Sequence, residues 1–331
     1  MSFPSNSGRP RVAVVLLQLG GPDSLASVEP FLYNLFCDPD IIDLPLAFLF
    51  RKRLARLISS RRAPKVAEYY RMIGGKSPIL RLTRRQAAAL ERALRGEMDA
   101  RVIIAMRYWH PLTSAAAEEV KAGKFDQVVL LPLYPHFSRT TTGSSVNEWN
   151  RILGRAGIPG ARVVTVEQYC DHPLYIQALV ENITIALRRV PHPDRSAVHL
   201  VFSAHGTPVR LVKQGDPYQA HIIRTYEAVV ARGAFGLPHT LCYQSRVGPQ
   251  QWLKPSLTET VDRLAAEGAA RLLVIPIAFV SDHSETLYEI NMEVRRHAME
   301  RGIRHYDMMP ALHTNASFIG ALADSVRRAI A

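Results

Sequence analysis

The chain has 331 residues, of which 47% are hydrophobic and 21% charged, enough apolar material for two self-sufficient cores and too much for a disordered chain. Lys and Arg number 41 against 29 Asp and Glu, and the formal net charge of +12 favours acidic partners: nucleic acid, anionic lipid or a carboxylate-bearing small molecule. Three widely separated cysteines, Cys37, Cys170 and Cys242, with no CxxC spacing, exclude a disulfide framework and a thiolate metal site and fit a reducing compartment.

Met1 to Pro10 reads as a frayed polar tail, and Arg11 to Leu19 as the first strand. The apolar run Val12 to Leu17 behind Arg9 and Arg11 is too short for a signal peptide and leads through Gln18 into the turn Gly20-Gly21-Pro22-Asp23. No stretch is long and apolar enough to span a bilayer. Asp23 or Ser24 is expected to cap a helix running to about Cys37.

From Ile41 to Arg62, Leu44, Leu46, Phe48, Leu49, Phe50, Leu54, Leu57 and Ile58 are interleaved with Arg51, Lys52, Arg53 and Arg56. Two readings stand for this segment: a basic amphipathic element on a membrane surface, or a core-packed helix with a solvated basic face. Nucleic acid fits poorly, because few rings are free to stack on bases. Ala63-Pro64 is expected to start a new helix with proline in its first turn. Gly74-Gly75-Lys76-Ser77-Pro78 is a loop without phosphate-loop spacing.

Helices are expected at Thr83 to Arg95, Thr113 to Lys121, Thr140 to about Leu153, Pro173 to Arg188, Asp216 to about Arg232, Ser256 to Ala266 and from about Asn315. Strands are expected at Arg101 to Met106, Gln127 to Leu133, Arg162 to Val166, Val198 to Phe202, Thr240 to Tyr243, Leu272 to Phe279 and Arg304 to Tyr306. This alternation predicts an α/β protein with two similar Rossmann-like parallel sheets. The expected division is a first domain over 1–160, a second over 161–313, and a last helix over 314–331 packing back on the first.

The buried strand at Leu272 to Phe279 breaks into Ser281, Asp282, His283, Ser284 and Glu285. Glu285, Glu289 and Glu293 then recur every four residues, which on an α-helix makes one row of mutually repelling carboxylates. Such a row is either a solvated acidic face or a track for a divalent metal, and its position at a strand's carboxyl end favours the track. Other strand ends carry Arg107 to Pro111, Tyr134 to Ser138, Ser203 to Pro208 and Gln244 to Pro249, so two sheets are expected to face one cleft. His205 is the candidate base or metal ligand there, and Tyr70, Tyr108, Trp109, Tyr134, Phe137 and Trp252 are candidates for flat apolar walls.

The segments LQLGGP, RRAPKVAEYYRMIGGKSPI, RYWHPLT, LYPHFSRTTTGSS, FSAHGTP, GDPY, YQSRVGPQQWLKP and PIAFVSDHSETLYEI, in this order from about Arg11 to Ile330, closely resemble the ferrochelatases. The resemblance implies insertion of ferrous iron into protoporphyrin IX, in a porphyrin cleft between two Rossmann-like domains with four-stranded parallel sheets. It implies that His205 is catalytic, with Glu285 as the acid facing it across the macrocycle. Glu289 and Glu293 then handle metal or protons alongside His205 and Glu285. Leu19, Arg61, Arg62, Tyr70, Ser77, Arg107 and Tyr134 match porphyrin-pocket positions, and Trp252, Asp282 and His283 join the substrate-binding set. The segment Ile41 to Ile58 matches a lip that touches the bilayer in membrane-associated members.

The porphyrin carboxylates are expected to meet Arg61, Arg62 or Ser77. Some relatives bind an iron-sulfur cluster, but Arg139 occupies the central cysteine position here and no cysteine-bearing tail follows, so no cluster and no other cofactor is expected. The implied setting is cytoplasmic, with peripheral contact to the inner membrane and no nucleic acid. Competing readings are a chelatase for coproporphyrin III or another tetrapyrrole and metal, and a non-catalytic haem or metal carrier.

Overall fold

The computed structural model describes residues 9–41, 47–154, 157–192, 194–246 and 250–331, without the side chains of 47–49. The first half runs β1 (Arg11–Gln18), α1 (Val28–Phe36), α2 (Ala47–Met72), α3 (Ile79–Leu94), β2 (Asp99–Met106), α4 (Thr113–Gly123), β3 (Gln127–Pro132), α5 (Ser144–Leu153) and β4 (Arg162–Thr165). The second runs α6 (Pro173–Arg188), β5 (Val198–His205), α7 (Val209–Lys213), α8 (Tyr218–Gly233), β6 (His239–Gln244), α9 (Leu257–Ala266), β7 (Arg271–Pro276), α10 (Arg295–Glu300), β8 (His305–Met308) and α11 (Ala316–Ile330). A π-helical turn at Arg139–Gly143 precedes α5, and a π-helix at Glu285–Val294 precedes α10.

Each half builds one four-stranded parallel sheet, in the orders β2-β1-β3-β4 and β6-β5-β7-β8. Parallel neighbours need long crossovers, and the helices supply them while covering both faces. That is why β1 and β7 read as unbroken apolar runs: residues 12–18 of β1 and all of β7 are buried. The two sheets share one topology, and their registers align. Leu17 lies beside Pro132 in the first sheet and Ser203 beside Pro276 in the second. Counting two residues on, His205 stands where the first half carries Leu19, and each is followed by glycine and, two residues later, proline.

The principal core joins the halves: Val14, Leu16 and Leu131 of the first sheet and Leu200, Phe202 and Ile275 of the second belong to one buried cluster with residues of α6 and α11. Helix α11 packs on α3, β3 and β4 as well as α6, and Arg327 pairs with Glu97 across that contact.

Three local expectations change. Helix α1 begins at Val28, because the hydroxyl of Ser27 turns back to Asp23 Oδ1 at 2.6 Å and its amide to the Ser24 carbonyl, closing a turn first. Helix α2 continues through Pro64 instead of restarting there. Proline removes one helical hydrogen bond, to the Ser60 carbonyl, and both residues are exposed, on a face where a freed carbonyl costs little. The glutamate segment is a π-helix, not an α-helix, with the wider i→i+5 turn that recurs at functional sites. Residues 1–8, 42–46, 155–156 and 247–249, and with them part of the polar tail, of the lip segment, of the expected domain boundary and of the loop after β6, lie outside the described residues.

Candidate active site

The carboxyl ends of β1, β3, β5 and β7 open into one cavity between the halves, lined among others by Leu19, Tyr134, His136, His205, His283 and Glu285. With its mouth it encloses about 780 Å³ of empty space, the scale of a site for a large small molecule. Most of the wall is apolar, and the ionisable groups concentrate on the second half's side.

His205 ends β5, and Gly206 fixes how the chain leaves it. The Gly206 amide donates to the Gln244 carbonyl at 2.7 Å, and an added Cβ would stand 2.8 Å from that same oxygen, so only glycine fits. The His205 Nδ1 lies 2.8 Å from Glu285 Oε2 in the first turn of the π-helix. Glu285 and its neighbour Glu289 are bridged by Ser245, a residue at φ +63°. The Ser245 hydroxyl lies 2.6 Å from Glu289 Oε2 and 3.3 Å from Glu285 Oε2, and its amide donates to Glu289 Oε1 at 2.8 Å. Imidazole, carboxylate, hydroxyl and carboxylate thus form one connected chain.

The direct bond corrects one expectation. His205 and Glu285 do not face each other across a ring, since no macrocycle fits through a 2.8 Å contact; they stand together on one side of the cavity. Both remain reachable, with side chains 36% and 26% exposed.

Burial penalises the charge on every member, and the neighbours decide the outcome. Burial would lower the pKa of His205, but the charge and hydrogen bond of Glu285, aided by Glu289, raise it above its ordinary 6.5. Burial would raise the pKa of Glu285, but the charge and hydrogen bond of His205, with His283 and Ser245, hold it down to about 2. Glu289 goes the other way: burial and then the charge of Glu285 lift it to about 7, against the Ser245 bonds. Near neutrality the site therefore holds one firmly ionised carboxylate and one carboxyl poised to take or give a proton.

The rest of the acidic row divides. Glu293 is exposed near Lys65 of α2, whose pKa is raised first by Tyr69 and then also by Glu293. Asp282 turns away to His313, 2.9 Å from Oδ2, and accepts from Thr286 at 3.0 Å. His283 lines the cavity against Phe279, and burial lowers its pKa. Among the described residues no three His, Cys, Asp or Glu side chains form a ready-made metal cluster. Ser245 and His205 bond the carboxylate oxygens that face them.

The positions matched in the first half are also unequal. Leu19 and Tyr134 line the cavity, and burial raises the Tyr134 pKa. Tyr70 is buried and its hydroxyl donates to Ser284 Oγ at 3.3 Å, next to Glu285; burial pushes its pKa up to about 12. Ser77 packs against Gly21 and donates its amide to the Pro22 carbonyl, holding the loop before α3 over the first strand's end. Arg107 is committed to protein groups, at 3.0 Å from Asp38, 3.8 Å from Glu148 and 2.9 Å from Ser144. Arg61 and Arg62 are exposed on α2, and Arg62 lies over the Phe36 ring. Trp252 lies behind Gly206, whose Cβ would meet its ring at 3.3 Å, and bridges Pro208.

Residue patterns alone missed four members. Gln86 and His313 carry no motif of their own, Ser245 was visible only within the strand-end cluster Gln244 to Pro249, and the bonds of all three join segments 31 or more residues apart. His136 was visible only as one residue of a strand-end cluster. It lines the cavity with Nε2 2.8 Å from Thr225 Oγ1, and burial, then the charge of His221, lower its pKa to about 3.

Comparison with known proteins agrees with this geometry. The ferrochelatase family model matches residues 11–330. The ferrochelatase of Geotalea daltonii is 47% identical over 317 residues, covering 96% of this chain and 97% of the relative. That of Aquifex aeolicus is 44% identical over 317 residues, covering 96% and 99%. Among solved structures, SirB from Bacillus subtilis with Fe3+ superposes with a TM-score of 0.56 at 11% identity, covering 97% of this chain and 96% of that one. The sirohydrochlorin chelatase SirB from Bacillus subtilis subspecies spizizenii, in complex with cobalt, gives 0.54 at 10% identity, covering 96% and 95%, a likeness of fold alone. Matched over nearly its whole length at this identity, the chain belongs to the ferrochelatase family, enzymes that insert iron into a porphyrin.

Proposed function

We propose that the porphyrin is protoporphyrin IX and that His205, Glu285, Ser245 and Glu289 remove its two inner protons as Fe(II) enters. The observation carrying this is the 2.8 Å bond between His205 Nδ1 and Glu285. A carboxylate accepts only, so Nδ1 holds the proton and the lone pair of neutral His205 sits on Nε2, the atom left to meet a pyrrole N–H. Glu285, ionised at rest, balances the imidazolium that forms and relays its Nδ1 proton to the Ser245 hydroxyl. The second acceptor is Glu289, reached through the Ser245 hydroxyl, which can pass one proton on while receiving another. Two protons leave per iron inserted, and the chain contains two groups able to take them.

The macrocycle would lie against the apolar wall of Leu19 and Tyr134 with its face toward His205. Bending the ring exposes the nitrogen lone pairs, and contacts around its rim supply the strain. Exposed Arg61 and Arg62 are the cations available to its carboxylates. Ferrous iron is the substrate, and His205 and the glutamates are its candidate transient ligands. No resident cofactor is needed for this chemistry.

We further propose a cytoplasmic protein that touches the inner membrane peripherally through α2. Phe50 and Leu57 are 59% and 47% exposed there beside exposed Lys52, Arg53 and Arg56, while among the described residues no helix is long and apolar enough to span a bilayer. Flotation with anionic vesicles tests it: the protein should float, and Phe50→Ser with Leu57→Ser should stay behind.

His205→Ala tests the chemical reading. Insertion should fall by about 10²- to 10⁴-fold with porphyrin binding kept. Retained insertion would refute it. Coproporphyrin III turned over faster than protoporphyrin IX would reassign the substrate.

A further inference from the structure

Two loops at the cavity are each tied down by a buried side chain from the opposite half. Asp216, just before α8, accepts from Ser138 Oγ at 3.0 Å and from the Arg139 amide at 2.8 Å, at the start of the first half's π-helical turn. Reciprocally, Gln86 of α3 donates its Nε2 to the carbonyls of His313 at 3.0 Å and Val280 at 3.4 Å, and accepts from Ser281 Oγ at 3.2 Å. Gln86 is fully buried, so these bonds are its whole polar environment among the described residues.

The second tie continues toward the chemistry. The His313 amide donates to the Val280 carbonyl at 2.9 Å, and its Nε2 lies 2.9 Å from Asp282 Oδ2. Asp282 Oδ1 accepts from Thr286 Oγ1 at 3.0 Å, and Thr286 Oγ1 in turn accepts from the His283 amide at 3.1 Å. Thr286 follows Glu285 in the first turn of the π-helix. His313 holds this place at φ +45°, a left-handed backbone conformation that is uncommon for any residue with a Cβ, though Asn, Asp and His adopt it more often than the rest. Its Nδ1 is buried without a partner among the described residues. A residue needed only to fill space would not leave a ring nitrogen unpaired; the gain is the bond from Nε2 to Asp282.

We infer that His313 is a positioning residue: through Asp282 and Thr286 it fixes the first turn of the π-helix so that Glu285 stays within hydrogen-bonding reach of His205, while Gln86 holds the same loop against the first half. This rests on the proposed role of the His205–Glu285 pair.

Two amides separate the bond from the shape of the turn. His313→Asn tolerates the left-handed backbone but is too short to reach Asp282, whereas His313→Gln keeps an N–H at comparable reach. With His313→Asn, kcat for iron insertion should fall about 10- to 100-fold while the porphyrin KM stays within about twofold, and His313→Gln should recover most of the loss. Gln86→Met should lower kcat in the same way. Wild-type kcat in His313→Asn, or equal losses in both histidine variants, overturns the inference. If His313→Asn does not fold, an unchanged kcat in Gln86→Met overturns it. Full insertion by His205→Ala would instead sink the parent reading, whereas an inactive His205→Ala beside a fully active His313→Asn sinks only this one.

Discussion

The Nδ1 of His205, at the end of β5, meets the Oε2 of Glu285, in the first turn of the π-helix after β7, at 2.8 Å. His205 ends β5 and Glu285 follows the adjacent parallel strand β7 by nine residues, so the sheet brings the two segments together and the loop after β7 sets the final spacing. The arrangement leaves Nε2 toward the cavity and gives the imidazolium a counter-charge. It also gives each partner's substitution a distinct signature.

Glu285→Gln keeps the shape of the side chain and removes its charge. Without that charge burial dominates, and the His205 pKa should drop below its ordinary 6.5. The titration followed by NMR of the imidazole should therefore move to lower pH. Iron insertion should fall by about 10²- to 10⁴-fold. An unmoved imidazole titration would show that the pair does not exist in solution.

Glu289 makes a prediction about stability. Its pKa of about 7 in the folded protein lies above the ordinary 4.5, so between those values the folded state holds a proton that the unfolded chain has released. Stability from this group is complete below 4.5 and declines as pH rises through 7. His205, also raised, adds to the same decline above its ordinary 6.5. Glu285, depressed to about 2, contributes no slope in this range, because it is ionised in both states. Buried neutral histidines such as His136 push stability the other way, upward as pH rises to 6.5, in wild type and variant alike, so the Glu289 contribution shows in thermal melts as a difference: the Tm of Glu289→Gln, which mimics the protonated acid, should rise relative to wild type from about pH 5 to about pH 8. An identical slope in the variant would contradict the assignment.

Arg107 separates structure from substrate binding. Its guanidinium is the cation beside Asp38, whose carboxylate is fully buried and also accepts from Tyr108 and Ser144. Arg107→Leu leaves that carboxylate unpaired, which costs about 3–5 kcal/mol. Urea unfolding should show the loss as a lower midpoint. A variant of unchanged stability with a selectively raised porphyrin KM would return Arg107 to the substrate pocket.

The fold was legible because parallel sheets covered on both faces leave a plain signal: unbroken apolar runs such as Val12–Leu17 and Leu272–Ile275, each followed by a helix. The strand ends carrying His205 and Glu285 were legible for the same reason, as polar clusters interrupting those runs. Contacts that close only in three dimensions were not. The period of four in Glu285, Glu289 and Glu293 fits an α-helix and a π-helix almost equally, and nothing local distinguishes the half-buried Glu289 from the exposed Glu293. Arg107 follows a strand just as a ligand-binding residue does, and only Asp38 beside it gives its charge another use. Pro64 carried a sound stop signal that an exposed helix face overrides.

One measurement bears on the whole account. Mixed anaerobically with Fe(II) and protoporphyrin IX, the purified protein should convert the visible spectrum from free base to haem over many turnovers, releasing two protons per iron to a pH indicator. A porphyrin spectrum perturbed by binding but never converted, under conditions where Fe(II) remains in solution, would contradict it.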